Sequence, residues 1–260
     1  MTPLLMWIVG FTLLGGLLSA LAASVFLLTK ASWRTALVPH LVSFATGALL
    51  GAALLGLLPH AIDGAGIENV HKVGMAVLGG ILIFFVLEKL VLWRHCHHDE
   101  CEAHTPDDSH RDAASASMVL IGDGLHNLLD GVLIGAAFLT DVHLGVVTSV
   151  AVIAHEIPQE VGEVAVLLHS GMSRARALFY NVLISLTTVI GGLIAYYSLE
   201  NARDALPYVL AVAASSFLYV AVADLIPGLH RKIDAPTSTL QVVLIGLGVA
   251  VIYFSHSAVH

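Results

Sequence analysis

Charged side chains are scarce in this chain, although a soluble protein would need them to cover its surface. Asp, Glu, Lys and Arg make up 12% of the 260 residues, whereas 57% of the residues are hydrophobic. Soluble domains carry about 25% charged residues, so the composition excludes an ordinary soluble globule. We therefore predict a membrane protein in which residues 1–260 form a single polytopic domain within the lipid bilayer.

Cysteines and nucleotide-binding motifs are also scarce or missing. The only two cysteines, Cys96 and Cys101, lie in a histidine-rich tract, which argues against a structural disulfide. The phosphate-binding pattern GxxxxGK followed by Ser or Thr does not occur in the sequence. A self-contained ATP-driven pump is therefore not expected, and any transport by this chain would be secondary.

Long hydrophobic runs, in contrast, fill most of the sequence. Eight stretches are long enough to cross a bilayer, which takes about 20 apolar residues. A backbone in lipid must satisfy its own hydrogen bonds, and these runs are too long for barrel strands, so we predict helices and an all-α fold class. The predicted helices cover residues 4–28, 37–61, 73–93, 115–140, 143–168, 175–198, 206–229 and 239–257.

Basic residues are unevenly distributed between the predicted loops. Eight Lys or Arg fall on one side of the membrane and two on the other, and cytoplasmic loops carry the excess. This distribution predicts that both termini lie outside. The first hydrophobic run has no basic residue before it, and Lys30 and Arg34 follow it. Because a cleavable signal peptide has the opposite charge order, we expect this run to remain as a helix.

One connection is long and rich in potential metal ligands. Residues 94–114, between the third and fourth predicted helices, face the cytoplasm by the charge distribution and contain five His and two Cys. Such a tract cannot form a packed core, and its composition is typical of metal binding. The alternative is a solvated charged linker. The predicted loop ligands are His95, Cys96, His97, His98, Cys101 and His104.

Two neighbouring hydrophobic stretches carry ionisable side chains. The fourth contains HNLLDG from His126 to Gly131, and the fifth contains HEIPQE from His155 to Glu160. A charged residue near a bilayer centre costs about 2.5–3.5 kcal/mol even on a lenient scale, so such residues indicate function. A tight turn at residues 140–143 makes the two helices antiparallel neighbours, and both clusters then fall at a similar depth.

The spacing within these clusters predicts a metal site. Residues four apart share a helix face, so His126 with Asp130 and His155 with Gln159 form two edges that could close around one ion. Imidazole suits zinc, iron and nickel, and oxygen ligands widen the choice towards manganese. The alternative is a polar network that only holds helices together. A second, oxygen-richer site is predicted from Asn127, Glu156 and Glu160, and a metal path from Asp123, Glu163, His60 and Asp224.

A faint internal repeat links the second and seventh stretches. Leu58-Pro59 lies towards the outer end of one, and Ile226-Pro227 lies towards the inner end of the other. Inverted repeats are common in transporters. Three helices before the central pair and three after it would fit a 3+2+3 arrangement.

These motifs resemble those of the ZIP family of divalent-metal transporters. The family has HNxxDG or HNxPEG in its fourth helix and HExPHE or a variant in its fifth. The segments GGILIFFVLEKL, HSGMSRARAL and YVAVADLIPGL are also similar to family sequences. The resemblance implies an eight-helix 3+2+3 inverted repeat, commonly dimeric, that moves zinc and related ions towards the cytoplasm.

The resemblance also assigns roles to individual residues. It implies metal ligands at His126, Asp130, His155 and Glu156, places Asn127 at a second-site position, and matches Glu160 to the final acid of HExPHE. Gln159 departs from the family pattern, since the motif has His there and other members have Glu. A neutral amide binds transition metals more weakly than imidazole or carboxylate. We therefore expect the metal preference to depend on Gln159.

The expected function is transport of a divalent transition metal into the cytoplasm, with zinc as the first candidate and Fe2+, Mn2+ and Cd2+ as others. We expect no enzyme activity, no cofactor and no nucleic-acid partner. The expected partners are the metal ion, the lipid of the plasma membrane and a second copy of the chain. Two alternatives are an intramembrane zinc metalloprotease, since HEIPQ is close to HExxH, and a metal sensor or storage protein built around the loop.

Overall fold

The structure of this protein is a computed structural model that describes residues 2–29, 31–96, 108–230 and 235–257. Within these ranges the chain forms eight helices and no strand, which confirms the predicted all-α fold class. We number the helices α1 to α8. Their bounds are Pro3–Leu28 (α1), Ala31–Gly51 continued by Ala52–Leu57 and Leu58–Ala65 (α2), Val70–Cys96 (α3), Asp108–Thr140 (α4), Val142–His169 (α5), Arg174–Ser185 and Thr187–Leu199 (α6), Leu206–Tyr219 continued by Val220–Leu225 and Ile226–Leu229 (α7), and Ala235–Ser257 (α8).

The outer surface of the helix bundle is apolar. Six helical spans in the described ranges are long and apolar enough to cross a membrane, and the two helices not among them, α4 and α5, carry the ionisable clusters. Large apolar side chains such as Met75 and Leu82 on α3 and Val242 on α8 are exposed. Apolar exposure on this scale is suited to lipid rather than water, as expected for a multi-pass membrane protein.

Several helices extend beyond the predicted hydrophobic stretches. The third helix continues to Cys96 and the fourth begins at Asp108, so the connection predicted as residues 94–114 is shorter than expected. Hydropathy marks only the part of a helix that lies in lipid, and polar residues can continue the helix into water. Of the predicted loop ligands, His97, His98, Cys101 and His104 lie outside the described residues, as do the side chains of His95 and Cys96.

The turn between α4 and α5 consists of a single residue, Asp141. Its Oδ1 atom accepts hydrogen bonds from the backbone N–H groups of His143 (2.8 Å) and Leu144 (3.0 Å). The first N–H groups of a helix have no partner within the helix, and such a cap contributes about 1 kcal/mol. Because the connection is so short, the two helices lie side by side and their polar clusters face each other.

Glycines allow α4 to approach α6 closely. A Cβ atom on Gly131 would overlap the carbonyl oxygen of Thr188, and one on Gly191 would overlap the carbonyl oxygen of Leu128. In the same way, a Cβ atom on Gly47 of α2 would overlap a backbone carbonyl of α8. Small residues at such positions let helix backbones come into direct contact in a membrane. Two helix pairs, α4–α6 and α2–α8, are therefore held by backbone packing.

Two helices contain a wider turn in front of a proline. A six-residue π-helical segment, Ala52–Leu57 in α2 and Val220–Leu225 in α7, directly precedes the pairs Leu58-Pro59 and Ile226-Pro227. The N–H groups of Leu58 and Ile226 each donate to the carbonyl five residues earlier. A proline ring clashes with the carbonyl four residues before it, and the π-helical turn relieves this clash. The repeat seen in the sequence thus has a structural counterpart.

Most helices pack chiefly on a partner that is distant in the sequence. The principal pairs are α4 with α6, α2 with α8, α1 with α5, α3 with α7, and α4 with α5. The α4–α5 pair also contacts α2 and α7. This packing surrounds the ionisable clusters with other helices.

Replacing Gly131 with Ala is expected to lower the melting temperature of the purified protein. The added methyl group would overlap the backbone of α6, and overpacking of this kind costs about 1–3 kcal/mol. The matched control is Gly122→Ala on the same helix, where nothing lies within 4 Å of an added Cβ atom. This control should keep or raise the melting temperature, because alanine favours helix more than glycine does. Equal thermal unfolding of the two variants in detergent would contradict the close α4–α6 contact.

Candidate metal site

Four side chains from α4 and α5 converge on one point, and we call them the four-residue site. They are His126, Asp130, His155 and Glu156, and their potential ligand atoms all lie within 4.8 Å of one another. Nε2 of His155 is 3.1 Å from Oδ2 of Asp130 and 3.2 Å from Nε2 of His126. Oε1 of Glu156 is 3.5 Å from Nε2 of His126 and 3.8 Å from Nε2 of His155.

The donor set of this site suits a divalent transition metal. Two imidazole nitrogens and two carboxylate oxygens supply four ligands, the number that zinc takes in most protein sites. The same mixture of nitrogen and oxygen also accepts iron and, less readily, manganese. The site can therefore bind a divalent cation without a ligand from outside α4 and α5.

Two carboxylates of the site are buried and lack hydrogen-bond donors. Asp130 is 1% exposed and Glu156 is 3% exposed. Oδ2 of Asp130 and both carboxylate oxygens of Glu156 have no hydrogen-bond partner among the described residues. Burying a charged group without compensation is costly, and native interiors rarely leave such atoms unsatisfied. A cation bound between these oxygens would compensate both side chains.

The ring of His155 is oriented by the helix that carries it. Its Nδ1 atom lies 3.1 Å from the carbonyl oxygen of Ala151, and because a carbonyl only accepts, Nδ1 must carry the hydrogen. Nε2 then faces Oδ2 of Asp130 and Nε2 of His126, where a cation held between the three atoms would meet its lone pair. Phe217 of α7 packs against the ring, with the centroids 6.0 Å apart. A histidine fixed through its second nitrogen in this way is typical of metal sites.

Exposure differs sharply among the four side chains. The side chain of His126 is 23% exposed, whereas those of Asp130 and Glu156 are at most 3% exposed. His126 is therefore the most accessible of the four side chains.

A second acidic group lies about one turn further along both helices, towards the Asp108 end of α4 and the His169 end of α5. We call it the acidic layer, and it consists of Asp123, Glu160 and Glu163, which each offer an oxygen within 4.8 Å of the others. Asn127 donates from Nδ2 to Oδ1 of Asp123 at 2.7 Å, and Gln159 donates from Nε2 to Oε1 of Glu163 at 3.1 Å. Unlike those of the four-residue site, these carboxylates accept hydrogen bonds from neutral donors.

The structure distributes the predicted ligands between the two groups in a way that differs from the prediction. Glu156, which the spacing placed in the second site and the family resemblance placed among the metal ligands, lies with His155 in the four-residue site. Gln159, predicted to complete the first site, directs its amide nitrogen to Glu163. Asn127 and Glu160 belong with the acidic layer. When two helices pack, the side chains of one fit into the groove between two adjacent rows of the other. Helix α4 therefore contacts two rows of α5, one with His155 and one with Glu156, and not a single row of residues four apart.

The two remaining residues of the predicted metal path lie apart from these groups. His60 is on α2, and its Nδ1 atom lies 2.9 Å from the carbonyl oxygen of Gly56. Asp224 is exposed and lies in the π-helical segment of α7. Among the side chains that the structure describes, neither residue belongs to a cluster of three or more potential ligands. A role for either residue in metal passage stays a prediction.

Helix α6 contributes three polar side chains that the sequence analysis did not select. Asn181, Ser185 and Thr188 are 2%, 3% and 4% exposed, and all three face the acidic layer or Asn127. Their spacing of four and then three residues puts them on one helix face. Polar residues at this spacing in an otherwise apolar stretch are visible in the sequence, and this pattern could have identified a polar face on α6.

The sequence is similar to known zinc transporters. The family model for the ZIP zinc transporter matches residues 94–256. Zinc transporter ZIP13 of Pongo abelii is 31% identical over 82% of this chain and 65% of its own length. Zinc transporter ZIP4 of Mus musculus is 33% identical over 80% of this chain and 41% of its own length. Zinc transporter ZIP10 of Homo sapiens is 40% identical over 52% of this chain and 17% of its own length.

This chain therefore spans between 17% and 65% of the length of these three relatives. The family match covers more than half of the chain. It includes all of α4 and α5, which carry the four-residue site and the acidic layer. Together with the multi-pass helical fold, it shows that this chain belongs to the ZIP zinc transporter family.

Proposed function

We propose that this protein carries divalent transition-metal ions, zinc first among them, across a membrane by binding them at the four-residue site. The observation that carries the proposal is the set of buried carboxylate oxygens of Asp130 and Glu156 that lack hydrogen-bond donors. They face the Nε2 atoms of two imidazoles, and this donor set suits zinc and related ions. Its position between helices at the centre of an apolar bundle favours passage of the ion over surface storage.

The transport is proposed to be secondary and directed into the cytoplasm across the plasma membrane, with both termini outside. The excess of Lys and Arg on one side of the membrane supports this orientation. In this orientation the acidic layer lies on the cytoplasmic side of the four-residue site. Iron, manganese and cadmium are further candidate cargoes.

We further propose that the eight helices form a 3+2+3 inverted repeat. In such a repeat α1, α2, α3 and α4 correspond to α6, α7, α8 and α5. Exchanging the two halves converts the α4–α6 contact into α5–α1 and the α2–α8 contact into α7–α3, and these four pairs are among the principal contacts. The π-helical segments of α2 and α7 correspond as well, and each packs against the other helix. A homodimer is the oligomeric state that the family resemblance implies.

The two alternative functions receive less support from the geometry. A zinc protease of the HExxH type needs a second imidazole one helical turn after the first. Here that position is Gln159, whose amide donates to Glu163. A non-enzymatic role is therefore proposed. The sensor alternative depends on the histidine-rich loop and is best tested by removing that loop.

Replacing Glu156 with Gln is expected to reduce zinc uptake into proteoliposomes by roughly tenfold or more, since an amide of the same shape removes one charged ligand. The matched control is Glu68→Gln, an exposed carboxylate in the Ile67–Asn69 turn, which should transport like wild type. Uptake is measured with a zinc-sensitive dye at equal protein incorporation. Equal uptake by the two variants would rule out the four-residue site as the transport site.

Replacing Gln159 with His is expected to raise the preference for zinc over manganese. An imidazole at position 159 would add a nitrogen donor beside Glu163 of the acidic layer, and zinc accepts nitrogen ligands more readily than manganese does. The measurement is competitive uptake of zinc and manganese by wild type and variant in the same liposomes. An unchanged ratio would show that Gln159 does not set the metal preference.

Removing residues 97–107 and joining the helices by a short Gly-Ser linker should leave most of the zinc flux intact, because the four-residue site lies within α4 and α5. Flux is measured in proteoliposomes at saturating and at low zinc. Complete loss of flux in a protein that still binds zinc at the four-residue site would favour a loop-based sensor.

A further inference from the structure

A strip of buried polar side chains on α6 stands beside the acidic layer. It consists of Asn181, Ser185 and Thr188, and we call it the α6 strip. The strip crosses the break in α6 at Leu186. The break coincides with Thr187, whose hydroxyl lies 2.7 Å from the carbonyl oxygen of Ile184 and 3.1 Å from that of Gly124 on α4. Side-chain bonds of this kind compete with helix hydrogen bonds.

The strip donates hydrogen bonds into the acidic layer at two places. Asn181 donates from Nδ2 to Oε2 of Glu160. The hydroxyl of Ser185 lies 3.1 Å from Oε1 of Glu160 and 2.9 Å from the carbonyl oxygen of Asn181, and it can donate to either. Both oxygens of Glu160 therefore face donors from α6.

At the second place the hydrogen bonds form a relay that runs from Thr188 through Asn127 to Asp123. Thr188 donates from Oγ1 to Oδ1 of Asn127 at 2.8 Å, and Nδ2 of Asn127 donates to Oδ1 of Asp123 at 2.7 Å. The hydroxyl of Thr188 thus fixes which end of the amide faces Asp123. With Gln159 bonded to Glu163, each carboxylate of the acidic layer has its own neutral donor.

These hydrogen bonds limit how the acidic layer can respond to a cation. Three carboxylates within 4.8 Å of one another would bind a divalent ion strongly if their oxygens were free to converge on it. The hydrogen bonds from Asn127, Gln159, Asn181 and Ser185 hold these carboxyl groups in place. Ions can pass along a path only when each binding site on it is weak enough for the ion to leave.

We propose that Asn181, Ser185 and Thr188 are positioning residues that hold Glu160 and, through Asn127, Asp123, so that these two carboxyl groups do not close around a metal ion together with Glu163. An ion that leaves the four-residue site then passes the acidic layer instead of being retained there. The role in passage rests on the proposed transport function, whereas the effect on ion retention can be measured without transport. The cargo passing this layer is a divalent cation such as zinc.

The test measures how fast zinc leaves the detergent-purified protein when a chromophoric chelator is added in excess. Thr188→Val removes the donor to Asn127 with little change in shape, and Asn181→Leu removes the donor to Glu160. Each variant should release zinc more slowly than wild type, by roughly fivefold, as expected for the loss of one hydrogen bond that restrains a ligand. Thr188→Ser keeps a hydroxyl and should restore the wild-type rate.

Two controls separate positioning from a general packing effect. Ser198→Ala removes an exposed hydroxyl of α6 that donates to its own helix at the Ile194 carbonyl (2.6 Å), and it should release zinc at the wild-type rate. Thr188→Val combined with Asp123→Asn should release zinc as Asp123→Asn alone does, because the relay then has no carboxylate to restrain. Additive effects in this double variant would overturn the proposed relay.

Release that is unchanged or faster in both Thr188→Val and Asn181→Leu would overturn the proposal. In proteoliposomes the same variants should show a lower KM together with a lower Vmax, whereas a purely structural defect would lower Vmax with an unchanged KM. If the wild-type protein bound zinc but did not transport it, the proposed transport function would be wrong. The rates of zinc release would still test the positioning role of the α6 strip. The two proposals can therefore fail independently.

Discussion

A carboxylate that is buried without a hydrogen-bond donor is the constraint on which this structure depends. Both oxygens of Glu156 and one of Asp130 are in this state, and they lie beside each other in an apolar helix bundle. Attraction to a cation favours the arrangement, but repulsion between the two acids opposes it whenever the ion is absent. The helices must therefore be held together by interactions that do not involve the metal.

Backbone packing supplies this support. The capped one-residue turn at Asp141 holds α4 against α5, and Gly131 and Gly191 allow α4 to touch α6 backbone to backbone. Neither interaction depends on a bound ion. In a bilayer, where no hydrophobic force drives helices together, close packing of small residues is a principal source of stability. This packing would hold the helices around the four-residue site in place whether or not an ion is bound.

The sequence predicted the eight helices and the approach of α4 to α5, because long apolar runs and a tight turn leave few other arrangements. It also predicted a common depth for His126, Asp130 and His155, which the structure brings together. The spacing alone did not predict that Glu156 would face this group in place of Gln159, although the family resemblance implied a ligand role for Glu156. Helical periodicity defines the rows of side chains on one helix, but the row that faces a neighbour depends on the rotation of the helix pair, which is set by packing with α1, α2, α6 and α7. Contacts with α6 were missed for the same reason, since Asn181 and Thr188 acquire their role only through that rotation.

The four-residue site and the acidic layer both contain carboxylates, but they differ in whether the carboxylate oxygens accept hydrogen bonds from protein donors. In the four-residue site the oxygens of Glu156 have no donor among the described residues, so a cation does not compete with a protein donor for them. In the acidic layer Asp123 and Glu163 already accept hydrogen bonds from Asn127 and Gln159, so a cation must compete with these donors for the same oxygens. We therefore expect the affinity for a cation to fall from the four-residue site to the acidic layer, even though both contain carboxylates. Such a decrease lets one group hold an ion and the next release it, and neutral side chains alone can produce it.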